Sequence, residues 1–155
     1  MKRACLVVVA LCAASPAHAV PFVPTDDQQV LETLPFSPRD PAMRELQILR
    51  VRQMQQPNSM PIAVQTARRY IELGRTTGDP RYSGYAQAAL GPWWQQPDPP
   101  RDVLVLRATL RQHVHQFDAA LADLDLALKH NPRDSQARLT RATVYQVRGE
   151  FDAAR

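Results

Sequence analysis

Arg107-Ala-Thr-Leu-Arg-Gln-His-Val-His-Gln-Phe-Asp-Ala-Ala-Leu121 lies over Arg141-Ala-Thr-Val-Tyr-Gln-Val-Arg-Gly-Glu-Phe-Asp-Ala-Ala-Arg155 without a gap, at an offset of 34 residues. Eight of the fifteen pairs are identical, including the whole Phe-Asp-Ala-Ala block. Just downstream, Ala120, Leu121, Leu124, Ala127 and Leu128 fall at i, i+1, i+4, i+7 and i+8, which is one apolar face of a helix. A period of this length built from helix–turn–helix units points to a stacked array. One hairpin cannot bury both of its faces, so neighbours must cover each other. Another 34 residues upstream, Tyr70-x-x-Leu73-Gly74, Ala86 and Leu90 form a weaker third copy. Small residues at Gly74, Ala108 and Ala142 recur at that step, and they let paired helices approach closely.

In these residues the chain resembles the tetratricopeptide repeat family. The unit 101–134 carries the resemblance through Ala108 in the small-residue slot, Phe117 opening the second helix, Ala120, Leu124, Ala127 and terminal Pro132. The start of a further unit, 135–155, carries it through Ala142, Tyr145, Gly149 at the inter-helix turn, Phe151 and Ala154. The stretch 58–97 reads as a degenerate hairpin of the same kind. Two features depart from the family pattern: Arg107 and Arg141 occupy a slot usually held by Leu, and Gly91-Pro92 shortens the second helix of the early unit. The resemblance implies a right-handed α-solenoid with a concave groove lined by the first helices of successive repeats. That groove would take a peptide or protein partner. Carried onto this chain, its lining is Asp102, Val105, Thr109, Gln112 and His113, then Gln136, Leu139, Thr143, Gln146 and Val147. The Lys- and Asn-based carboxylate clamp of some relatives is missing, so chaperone-tail capture is not implied.

Upstream of the repeats the pattern stays helical, and no strict two-residue alternation lasts a strand's length, so the expected class is all-α. Residues 20–57 read as a Pro-rich lead followed by helices. A short helix is expected over 26–34, with Thr25 as N-cap and acids in its first turn. Asp40-Pro41 is a cleaner start, because Asp caps and Pro takes the first helical position. From Ala42 the residues Met43, Leu46, Leu49, Val51 and Met54 give a loose apolar stripe that ends before Pro57. Asn58 or Ser59 can cap the next helix, whose set Ile62, Ala63, Ala67, Tyr70, Ile71 and Gly74 recurs at steps of three and four. Gly78-Asp79-Pro80 turns the chain, a helix from Arg81 to about Leu90 follows, and Trp93-Trp94 is expected to fold back into the seam before the next hairpin. The last repeat stops at Arg155, about one turn into its second helix. Terminal repeats need a polar cap, so the expectation is a fragment of a longer repeat protein or an edge completed by a partner. Ala142, Val144, Tyr145 and Phe151 are then expected to be partly uncovered.

The first nineteen of the 155 residues read as an export signal. Lys2 and Arg3 form a positive head, Ala4 to Ala14 an apolar run too short to span a membrane, and Ala17-His18-Ala19 a small-x-small cleavage pattern. The expected location is therefore periplasmic or secreted. Both cysteines, Cys5 and Cys12, lie inside the signal, which leaves the mature chain without disulfides or thiolate ligands. The mature chain carries seventeen basic against fifteen acidic residues, spread rather than clustered, so no nucleic-acid footprint is expected.

Chemistry is thinly represented. His113 and His115, and likewise Asp123 and Asp125, stand two apart, so on a helix they point roughly 200° from one another. Neither pair is expected to hold a metal or to act as a catalytic dyad. Asp123 and Asp125 are assigned to a solvated acidic face. No nucleophile elbow, phosphate-binding glycine loop or zinc motif occurs. The expectation is a non-catalytic, cofactor-free interaction scaffold of the bacterial periplasm or cell envelope. The alternative is an accessory module of an envelope enzyme or secretion assembly whose other domain lies beyond residue 155. If the signal reading holds, amino-terminal sequencing of the exported protein will begin at Val20. An intact Met1 on exported protein would reject it.

Overall fold

The computed structural model describes residues 22–31 and 40–154. The segment 1–19, expected to be an export signal, lies outside the described residues. Seven helices and no strands occur among the described residues: α1 Pro41–Gln55, α2 Met60–Thr77, α3 Arg81–Ala89, α4 Gly91–Trp94, α5 Arg101–His113, α6 Phe117–His130 and α7 Ser135–Arg148. The chain is all-α. Two compact units are distinguished, 1–33 and 34–155.

In the first unit, residues 25–29 form a turn where a helix over 26–34 was expected. The Gln29 amide donates to the Asp26 carbonyl at 3.0 Å. The Thr25 amide donates to the Gln29 side chain at 3.0 Å, and the Gln28 amide donates to the Asp26 carboxylate at 3.0 Å. These local bonds compete with helical ones. Val30 and Leu31 stay exposed, so no burial offsets the cost of nucleating so short a helix. Residues 32–34 lie outside the described part.

In the second unit the helix starts and stops follow local chemistry. The Asp40 carboxylate accepts the Ala42 amide at 2.7 Å, with Pro41 at the first helical position. Along α1 only Leu46 and Leu49 are fully buried, and Val51 and Met54 face solvent instead of continuing the stripe. The inward line runs on to Gln53, whose side-chain amide donates to the Ala89 carbonyl at 2.8 Å. Ser59 begins α2 without a side-chain cap, and its carbonyl receives the Ala63 amide. Helix α2 closes at Gly78, which takes a left-handed φ of 69°, and α7 closes at Gly149 with φ 79°; both suit glycine. Gly74 earns its place differently: a Cβ there would stand 3.3 Å from Cβ of Tyr82, so α2 and α3 meet at glycine distance.

Helix α5 organises the unit. Val103, Leu106 and Leu110 join Leu73, Ala86 and Leu90 in a core shared with α1, α2 and α3. Leu104, Val105 and Ala108 join Ala120, Leu124, Ala127 and Val144 in a second core shared with α6 and α7. A helix apolar on nearly every side must be central. Val144 is fully buried, against the expectation that it would be partly uncovered. Its side chain points between α5 and α6, whereas the exposed side of the last helix carries Leu139 and Val147. Phe151 is 64% exposed, and Ala142 and Tyr145 are half-buried.

Arg107 is enclosed by acceptors from three segments of the chain. Arg107 is 4% exposed, and its Nε and Nη2 donate to both oxygens of Asp123 at 2.9 and 2.7 Å. Its Nη1 donates to the carbonyls of Trp94 and Gln96 at 2.6 and 2.9 Å. Arg111 adds a bond to Asp123 at 2.7 Å and stands 5.8 Å from the ring centroid of Trp94. Asp123 is therefore buried, and its assignment to a solvated face is overturned. Asp125, two residues on and roughly opposite, is the exposed one and pairs with Arg141 at 3.0 Å. Trp93 and Trp94 are both half-buried against the first core. Replacing Asp123 by Ala strands a buried guanidinium, and urea unfolding is expected to show a loss of about 3–5 kcal/mol. A loss below about 1 kcal/mol would remove the network from the list of fold determinants.

Candidate functional site

The first helices of the three hairpin-like segments, α2, α5 and α7, run as neighbours, with α5 in contact with both of the others. Between them lies a groove of about 230 Å³ whose apolar floor is Ile71, Val105 and Leu106 and whose rim is Arg68, Glu72, Arg75, Thr109 and Gln136. These residues fall at the 34-residue step. Arg68, Asp102 and Gln136 are one set, Ile71 and Val105 another, and Arg75 and Thr109 a third.

Asp102 sits in the first turn of α5 and accepts from Arg68 of α2 at 2.9 Å and from Arg101 at 2.7 Å. Arg101 also binds both oxygens of Asp134, the N-cap of α7, which in turn accepts the Ala137 amide at 3.0 Å. A chain of charge thus runs from Arg68, midway along α2, through the first turn of α5 to the N-cap of α7. The hydrogen bonds from Arg101 hold the Asp134 carboxyl down at about 2, and the same bonds raise Arg101 above its ordinary value. Thr109 is half-buried, with its hydroxyl donating to the Val105 carbonyl at 2.9 Å. Gln136 is exposed and reaches Thr140 Oγ1 at 3.4 Å.

His113 belongs to a second cavity of about 280 Å³, which shares Ile71 and Arg75 with the groove and adds Gly74 and Asp79. Burial lowers its pKa, and the Arg75 charge lowers it further, so the neutral imidazole is favoured there. Thr109 and Gln136 line the groove and His113 the adjoining cavity, whereas Asp102 lines neither and meets the groove through its bond with Arg68. Gln112, Thr143 and Gln146 line neither cavity, and the Thr143 hydroxyl donates to the Leu139 carbonyl at 3.0 Å. His115, just past the end of α5, has φ 59° and meets the Phe117 ring edge-on at 5.5 Å, well apart in role from His113.

The α2 wall of the groove, Arg68, Glu72 and Arg75, escaped the sequence reading. Its signal was present in two forms: the i, i+4, i+7 spacing of those three charges, and their 34-residue step to Asp102, Leu106 and Thr109. Among the described residues no group of three or more His, Asp or Glu side chains is placed to hold a metal, and no helix is long and apolar enough to cross a membrane. No protein-family model, no curated protein and no solved structure matches the chain.

Because the folded pKa of Asp134 lies below its ordinary value, the ionised pair stabilises the fold at pH values above about 4. That contribution is lost as pH falls from about 4 to about 2. Stability measured across this window is expected to decline in the native protein, and the decline is expected to be visibly shallower in Asp134→Asn. Equal slopes would dismiss the pair as a determinant of acid stability.

Proposed function

We propose that the protein is a non-catalytic interaction scaffold of the bacterial cell envelope, built as a tetratricopeptide-like α-solenoid, that binds an extended or helical peptide segment in the groove between α2, α5 and α7. The observation carrying this reading is the groove itself: residues 34 apart on three adjacent helices present an apolar floor and a polar rim as one strip. A peptide needs both, since burial of its side chains supplies affinity and paired donors and acceptors fix its register. Arg75 and Glu72 make no ion pair among the described residues, so their charges remain to be matched by a partner. Arg68 on the rim is already paired with Asp102 at 2.9 Å, so its charge is answered within the chain. The export signal in residues 1–19 supports placing this scaffold outside the cytoplasm.

The test is photo-crosslinking from single benzoylphenylalanine replacements in the native host. Gln136 and Thr109 are expected to trap the same discrete partner, and Ala122, exposed on α6, is expected to trap none. Thr109→Trp, which fills the groove, is expected to weaken binding of that partner by about tenfold or more. Equal trapping from Ala122, or unchanged affinity in Thr109→Trp, would reject the groove.

A further inference from the structure

A different surface has the makings of a second binding site. Where α3, α4 and α5 meet the start of α6, a cavity of about 410 Å³ is walled by Trp94, Gln87, Gln95, Gln116, Ser83 and Arg111. A second cavity of similar volume shares Gly84, Gln87, Trp94 and Gln95, so the two form one continuous depression. We propose that this depression is a saccharide-binding site, with the Trp94 indole as the platform for a sugar ring and the three glutamine amides as hydroxyl-reading groups.

The chemistry of the wall selects the ligand class. Each primary amide offers two donors and an acceptor, the set that neighbouring sugar hydroxyls match. The side chains of Gln87, Gln95 and Gln116 are exposed and make no hydrogen bond among the described residues, so their capacity is open to a ligand. Arg111 is the single charged residue in the wall, and it shares the one carboxylate of Asp123, at 2.7 Å, with the buried Arg107, so the three groups together keep one net positive charge. No carboxylate lines the wall to hold a cation. Trp94 adds a large apolar surface with a negative π face, suited to the C–H face of a pyranose. The Arg111 guanidinium stands 5.8 Å from the ring centroid, and Arg107 holds the backbone there through the Trp94 carbonyl at 2.6 Å. The volume lies within the about 300–1,000 Å³ typical of small-molecule sites. Gly84 lies in the floor, and a Cβ there meets nothing within 4 Å, so the depression stays open at that point. None of these residues lines the α2–α5–α7 groove itself, and only Ser83 also lines the adjoining His113 cavity, so the site stands whether or not that groove takes a peptide.

The test uses the full chain with Trp93→Phe, which leaves Trp94 as the sole indole. Cellobiose and N,N′-diacetylchitobiose are titrated against its fluorescence, and cellulose and chitin powders are used in co-sedimentation. A saturable emission change with either disaccharide is expected, weakened about tenfold or more by Gly84→Leu, which fills the floor, and by Gln87→Ala combined with Gln116→Ala. The double replacement alters only exposed side chains, so it keeps the test decisive should Gly84→Leu fold poorly. Co-sedimentation with a polysaccharide that those variants abolish, without a response to free disaccharide, supports the site and assigns its ligand to a glycan chain. Absence of both responses, or responses that the variants leave unchanged, overturns the proposal.

Discussion

A buried guanidinium held by a buried carboxylate sits at the join of this molecule. Arg107 takes both oxygens of Asp123 and two backbone carbonyls, from Trp94 and Gln96. It thereby satisfies three segments at once: α5, α6, and the connector that brings the chain out of α4. Buried charges of this kind are tolerated only when every donor finds an acceptor, and here Arg111 completes the ring of partners around Asp123. The connector is rich in proline and poor in regular structure, so its carbonyls need donors from elsewhere. Arg107 supplies them. The position of Trp94, and with it the depression beside α3, follows from that satisfaction.

A second chain of charge performs the same task at the opposite end of α5. Arg68, Asp102, Arg101 and Asp134 link α2, α5 and α7 through their first turns or nearby side chains. Asp134 acts twice, as the N-cap of α7 and as the acceptor for Arg101. Asp134 moves with α7, so a shift of α7 along α5 would break its ion pair with Arg101, and the alignment of these two groove-lining helices is tied to that pair. Arg68 belongs both to the groove's polar rim and to this fastening, so its charge is already paired.

Much of this arrangement could be read from the residues. Asp40-Pro41 and Gly78-Asp79-Pro80 mark helix ends because their chemistry is local, and a cap or a left-handed glycine needs no tertiary context. The 34-residue recurrence pointed to the helices that now share the groove. The errors have one cause: they concern burial decided by a neighbour distant in sequence. Asp123 reads as solvated until Arg107 is placed against it, and Val144 reads as an edge residue until α5 and α6 are seen to enclose it. Within the helix expected over 26–34, the described residues 26–31 form no helix for the complementary reason, since good capping residues cannot sustain one where Val30 and Leu31 bury nothing. The α2 wall was overlooked because Arg68, Glu72 and Arg75 look like an ordinary charged face until the next helix lies beside them.

The double membership of α5 has a consequence for how the second unit comes apart. Its inner residues divide between two cores, Val103, Leu106 and Leu110 on one side and Leu104, Val105 and Ala108 on the other. Neither core can open while the other holds α5 in place, and neither survives its departure. Repeat arrays ordinarily fray one unit at a time from their ends, each contacting only its neighbours. Here the shared helix acts as a keystone, so the hairpins on either side melt as a single cooperative block, and slow amide exchange concentrates in α5 rather than fading evenly along the chain.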